Sequence, residues 1–92
     1  MQSDDELQAL ILRKLFNRKC WSGKHVSFEN LKRGIKISDL GKEGLKRVDR
    51  ASKEPIREGL ILTKPTHYGL EVSLNPRMSE EIVAKIKKFF AP

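Results

Sequence analysis

The sequence predicts one small α+β domain that is mainly helical, and three observations support this prediction. A chain of 92 residues is long enough for one hydrophobic core and too short for a second. Four segments carry apolar residues three or four positions apart, the spacing of helices with one buried face. Two further segments, separated by a short linker with proline and glycine, have the composition of a β-hairpin. The predicted order, within a single domain over residues 1–92, is helix, short extended segment, helix, helix, hairpin and helix.

The first helix is predicted to begin at Ser3 and to end near Asn17. Ser3 and Glu6 have the spacing of a capping box, in which two side chains satisfy free backbone N–H groups at a helix start. One apolar face follows, with these members: Leu7, Leu10, Ile11, Leu15 and Phe16. Residues 17–24 contain glycine, serine and several bases and predict a loop, after which His25-Val26 predicts a short strand.

The second helix is predicted to follow that strand. Ser27 is placed to cap it, Gly34 to end it, and its buried side has three members: Phe28, Leu31 and Ile35. A turn comes next, where Ser38 and Asp39 are both suited to cap the third helix.

The third helix is predicted over about residues 40–53. Its inward positions are Leu45, Val48 and Ser52. Pro55 lacks an N–H group and disfavours helical geometry at the residue before it. We therefore expect a kink or a new short turn between Lys53 and Glu58.

The hairpin is predicted over about residues 60–74. Residues 60–63 predict its first strand, and residues 70–74 alternate apolar and polar, as in a strand with one buried face. Residues 64–69 are expected to link the strands, and Asn75-Pro76 to end the hairpin. A last helix, over about residues 78–90, has these apolar residues on one side: Met78, Ile82, Ile86 and Phe89 or Phe90.

Three features carry a resemblance to a known superfamily. They are the two helices around Ser38-Asp39, the segment Arg57-Glu58-Gly59-Leu60-Ile61, and the segment Tyr68-Gly69-Leu70-Glu71-Val72. Over roughly residues 5–75 the chain resembles the winged helix-turn-helix superfamily, and is similar to small prokaryotic regulators, archaeal ones in particular. The resemblance implies a helix-turn-helix over about residues 27–58, a recognition helix over about 40–53 and a wing over about 60–74. It implies duplex DNA binding by a transcriptional regulator. The break expected at Pro55 departs from the family's usual unbroken recognition helix.

The charge distribution favours a polyanionic partner. The net charge is +7, and residues 13–57 hold 14 Lys and Arg against five acids. At about 100° per residue, four bases of the third helix fall within a wedge of roughly 80°: Lys42, Lys46, Arg50 and Lys53. Arg47 lies beside the wedge, and Arg57 joins it only if the helix runs straight through Pro55. We expect Arg47 and Arg50 to reach base edges and the lysines to contact phosphates.

A second interpretation of this stripe is an ordinary solvated surface. Glu43, Asp49 and Glu54 are interspersed and can pair with bases three or four positions away. At the tip of the hairpin, a further group is suited to phosphate or minor-groove contact: Lys64, Thr66, His67 and Tyr68. The alternative for Tyr68 is that it folds back over the core.

A third basic group, comprising Arg18, Lys19 and Lys24, flanks Cys20 and Trp21. Trp21 is expected to pack, and base stacking is the other interpretation of its ring. This loop is the best support for RNA binding as an alternative function.

Several classes of function are excluded by what the sequence lacks. Cys20, His25 and His67 are too few for a structural zinc site, so we predict no metal and no cofactor. No catalytic constellation and no phosphate-binding glycine loop is identifiable, which predicts a protein that is not an enzyme. With a single cysteine, an acidic N-terminus and no long apolar run, we expect a cytoplasmic protein without a membrane partner. No small-molecule ligand is evident.

A homodimer through the first and last helices is also predicted. Four apolar residues were expected to remain exposed there: Leu12, Val83, Phe89 and Phe90. Two-fold dimers are the commonest oligomers, and regulators of this kind usually bind paired half-sites. The alternative from a different class is a protein-interaction module within a larger assembly, since winged helices also serve as docking domains.

Overall fold

The computed structural model describes residues 4–35 and 44–90, except for the side chain of Leu45. The described elements are, in order, α1 (Asp4–Asn17), β1 (Val26–Ser27), α2 (Phe28–Arg33), α3 (Gly44–Arg57), β2 (Ile61–Thr66), β3 (Gly69–Leu74), a 3₁₀ turn (Pro76–Met78) and α4 (Ser79–Phe89). The strands form an antiparallel sheet in the order β1-β3-β2. The prediction of a mainly helical α+β fold is confirmed, as is the order of its elements. No helix in the described ranges is long and apolar enough to cross a membrane.

α1 is the central element of the core and contacts α2, α3, α4 and β3. Because it is covered on several sides, its buried arc is wide. Leu12, which was predicted to stay exposed, is fully buried for this reason. Phe16, which was predicted to face inward, is 39% exposed in the last turn, where it meets Trp21 edge-on with ring centroids 6.0 Å apart.

α2 is built as its sequence predicts. The Ser27 side chain accepts a hydrogen bond from the backbone N–H of Asn30 at 3.4 Å, and Gly34 is the C-cap. Its predicted inward residues are all buried: Phe28, Leu31 and Ile35. The other predicted caps, at Ser3, Ser38 and Asp39, lie outside the described residues, and so does the turn that joins α2 to α3.

α3 continues through Pro55 to Arg57, so of the two outcomes predicted between Lys53 and Glu58 the new short turn is wrong. Pro55 removes one backbone hydrogen bond, but its ring is fully buried against the core, which offsets that loss. Gly59, two residues after the last residue of α3, has φ +79°. The Gly59 N–H donates to the carbonyl of Ile56 at 3.1 Å and the Leu60 N–H to that of Pro55 at 2.9 Å. This pair of bonds is a Schellman motif.

The strands of the β2–β3 hairpin are longer than predicted and their connection is shorter, because residues 64–66 belong to β2 and only His67 and Tyr68 connect the strands. Pro65 is tolerated within β2 because this strand is at the edge of the sheet. The predicted alternation fails at Ser73, which is fully buried near the end of the central strand β3. There Leu74 also bridges to Trp21, and the Leu74 N–H donates to the Cys20 carbonyl at 2.6 Å.

Candidate nucleic-acid interface

The two sides of α3 differ sharply in what they carry. Its inward face is buried against the rest of the protein and consists of Gly44, Val48, Ala51, Ser52 and Pro55. Its outward face carries four exposed bases: Lys46, Arg50, Lys53 and Arg57. At about 100° per residue these four lie within roughly 60°, and the middle of that arc is about 180° from the middle of the buried arc. The basic stripe, as we call these four residues, therefore points directly away from the core.

Arg57 joins the basic stripe because α3 runs through Pro55. Its guanidinium donates a hydrogen bond to Glu54, and this bond raises the pKa of Arg57 above its usual value. The other three bases of the stripe form no ion pair with a described residue. Three uncompensated positive charges thus remain on one exposed helix face.

Arg47 lies off this stripe. Its side chain is only 12% exposed, and its Nη2 atom is 3.6 Å from Oδ1 of Asp4 on α1. The predicted role of Arg47 at a base edge conflicts with this position, because the guanidinium ties α3 to the start of α1. Lys42, the remaining predicted member of the stripe, lies outside the described residues.

Of the three acids that were predicted to neutralise the stripe, only Asp49 is seen with a different partner among the described residues. Asp49 pairs with Lys32 of α2, whose Nζ is 3.6 Å from Oδ1 of Asp49 and 2.9 Å from Oε1 of Glu29. The hydrogen bond between Lys32 and Glu29 raises the pKa of Lys32 and lowers that of Glu29. Only Glu54, through Arg57, engages the stripe within the described ranges, and Glu43 lies outside them. Lys32 thereby connects α2 to α3. Because it engages Asp49, this acid does not neutralise a base of the stripe.

The hairpin tip presents some of its predicted residues and uses another internally. Tyr68 is fully exposed, so it does not fold back over the core, and Lys64 and His67 are exposed as well. The Thr66 hydroxyl donates to the Gly69 carbonyl at 2.7 Å and accepts from the Tyr68 N–H at 3.2 Å. Thr66 therefore closes the turn, in which Gly69 takes the positive φ of +123°.

In the basic loop between α1 and β1, Cys20 and Trp21 pack against the rest of the protein. Trp21 is half-buried against the core, and Cys20 is 2% exposed, with its thiol 3.7 Å from the Arg18 carbonyl. Lys24 donates to the same carbonyl at 3.1 Å. The ring of Trp21 is thus engaged by Phe16, as the packing interpretation expects. No group of three His, Cys, Asp or Glu side chains suited to a metal occurs among the residues that the structure describes.

One polar network near the end of α3 was not predicted from the sequence. The Lys85 Nζ of α4 donates to Gln8 Oε1 of α1 at 2.7 Å and lies 3.4 Å from Glu58 Oε1. Gln8 and Lys85 are 77 positions apart, so no local pattern connects them. The network holds the residue after α3 against α1 and α4 and so helps to fix the direction of the stripe.

Comparisons of the chain with protein-family models, with curated proteins and with solved structures find no match. The surface of the protein itself is therefore the basis on which a function is proposed.

Proposed function

We propose that this protein binds duplex DNA as a winged helix-turn-helix domain and acts as a transcriptional regulator. In this proposal α3 is the recognition helix and the β2–β3 hairpin is the wing. The observation that carries the proposal is the basic stripe, with three uncompensated bases pointing directly away from the core.

The chemistry of the stripe suits the major groove. This groove admits an α-helix, and a helix that is anchored on one side presents its opposite side to the base edges. Arg50 carries a guanidinium, which can donate two hydrogen bonds to one guanine. Lys46 and Lys53 carry compact charges on flexible stems, which suit phosphate oxygens on either side of the groove.

The hairpin is connected to α3 in a way that suits a wing. Three residues, Glu58, Gly59 and Leu60, separate the end of α3 from the start of β2, and α3 and β2 are in contact. At the tip, the exposed groups are the Lys64 ammonium, the His67 imidazole and the Tyr68 hydroxyl. Each of these can donate a hydrogen bond to a phosphate or a minor-groove edge.

The test is a fluorescence anisotropy titration of a labelled random-sequence DNA duplex at several salt concentrations. The variant is Lys46→Glu/Arg50→Glu, and the matched control is Arg13→Glu/Arg77→Glu, which makes the same change in net charge at exposed residues of α1 and of the 3₁₀ turn. We expect binding by the wild type that weakens linearly in log affinity with log salt. The variant should lose at least about tenfold in affinity, and the control much less.

Two results would contradict this proposal. One is the absence of binding at low salt, and the other is an equal loss in both double variants, which would reflect net charge alone. A duplex RNA of the same length serves as the third arm. The major groove of RNA is too deep and narrow for a helix, so preference for RNA would place the contact elsewhere on the protein.

A further inference from the structure

We infer that the outward face of α4 is a self-complementary surface through which two copies of this chain pair with their α4 helices antiparallel. This inference goes beyond DNA binding and does not rest on it. It restricts the dimer interface that was predicted through the first and last helices, because Leu12 of α1 is buried inside the protein and takes no part. Val83, Phe89 and Phe90, in contrast, are partly exposed.

The middle of the face is apolar and concave. Ala84 is small and exposed, and with Val83 it forms the floor of a shallow depression whose ends are Glu80 and Lys87. A groove of about 300 Å³ between α1 and α4 shares Val83 and Lys87 with that depression. It adds further apolar lining from Phe16, Ile86 and Phe90. The two concavities form one surface, and the small side chain at its centre allows a second helix to approach closely.

The charges at the two ends of the face are of opposite sign. Glu80 and Glu81 are in the first turn of α4, and Lys87 and Lys88 are in its last turn. All four are exposed, and none forms an ion pair with another described residue. This order suits the helix dipole even in an unpaired helix, so the charges alone do not indicate a partner. The apolar depression between them does.

A two-fold axis near Val83 and Ala84 brings the acidic end of each helix opposite the basic end of the other. Both copies then gain the same contacts, as an isologous interface requires. A parallel arrangement would place like charges together and is disfavoured. Because the face carries two acids and two bases, it matches its own copy better than it matches a polyanion or a purely acidic partner.

The test is sedimentation equilibrium of the free protein without DNA, so that its outcome is independent of the proposed function. Three samples are compared with the wild type: Glu80→Lys/Glu81→Lys, Lys87→Glu/Lys88→Glu, and an equimolar mixture of the two. We expect a wild-type dimer and, in each variant alone, self-association at least about tenfold weaker, since like charges then face each other. The mixture should recover a heterodimer, because its charges are again complementary.

Recovery in the mixture also shows that both variants are folded, and circular dichroism of each variant alone checks this separately. A wild type that is monomeric at every concentration tested would overturn the inference and leave this face to a different partner. A dimer that neither variant weakens would overturn it by placing the interface elsewhere. Weakening in both variants without recovery in the mixture would contradict pairing through complementary charges.

Discussion

Two arginines of α3, Arg47 and Arg50, have different interactions because they lie on different sides of the helix. Arg47 lies against α1 with an acidic partner at 3.6 Å, whereas Arg50 is exposed and forms no ion pair with a described residue. A step of three positions along the helix turns the side chain by about 300°, so Arg47 lies near the edge of the buried face and Arg50 lies on the outward face. No local sequence pattern separates the two arginines. Their different angular positions on α3, and the contact of Arg47 with Asp4 far away in the sequence, distinguish them.

Replacing each arginine with methionine tests this distinction. Arg50→Met should lower the affinity for duplex DNA by about tenfold or more, because it removes a guanidinium from the proposed groove-facing side. Arg47→Met should change that affinity by no more than about threefold, because the position contacts α1. Both variants lose one positive charge, so each is the control for the other in anisotropy titrations at fixed salt. Equal losses, or a greater loss for Arg47→Met, would move the contact towards the α1 side of the helix.

The secondary structure elements themselves could be predicted well from local patterns. The Ser27 cap, the inward residues of α2, the hairpin and the start of α4 at Ser79 all follow from spacing and turn chemistry. The continuation of α3 through Pro55 could not be predicted in this way. Pro55 is unfavourable in an isolated helix, but burial of its ring is a tertiary effect, and the stop signal lies four residues later in Gly59. The extension mattered for the candidate site, since it added Arg57 to the basic stripe.

The end of α3 gives a prediction about stability. Gly59→Ala should lower the free energy of unfolding by about 1–2 kcal/mol, because φ +79° is strained for any residue with a Cβ. Gly23→Ala is the matched control: an added Cβ meets open space at both positions, and only Gly59 has positive φ. The control should shift stability by less than about 0.5 kcal/mol in urea unfolding. If the two variants were equally stable, the left-handed residue would not be what ends α3.

At the scale of the whole molecule, the ion pairs leave the positive excess on one surface. Most of the paired acids engage bases away from the outward face of α3, as Glu29 and Asp49 do with Lys32, and Glu58 with Lys85. The stripe accordingly keeps most of its charge. The sequence predicted the sign of the partner's charge and, from helical spacing, placed Lys46, Arg50 and Lys53 on one face. It could not predict that Arg47 pairs with Asp4 or that Asp49 pairs with Lys32, because those partners lie on other elements.

The most direct test of the central claim is an NMR titration of ¹⁵N-labelled protein with a short DNA duplex at moderate salt. We expect changes in backbone amide shifts to concentrate in α3 and at the tip of the β2–β3 hairpin, and the amides of the α1–α4 groove to change little. Changes confined to the α1–α4 groove or to the basic loop of residues 18–24, with α3 unaffected, would contradict the assignment of α3 as the recognition helix.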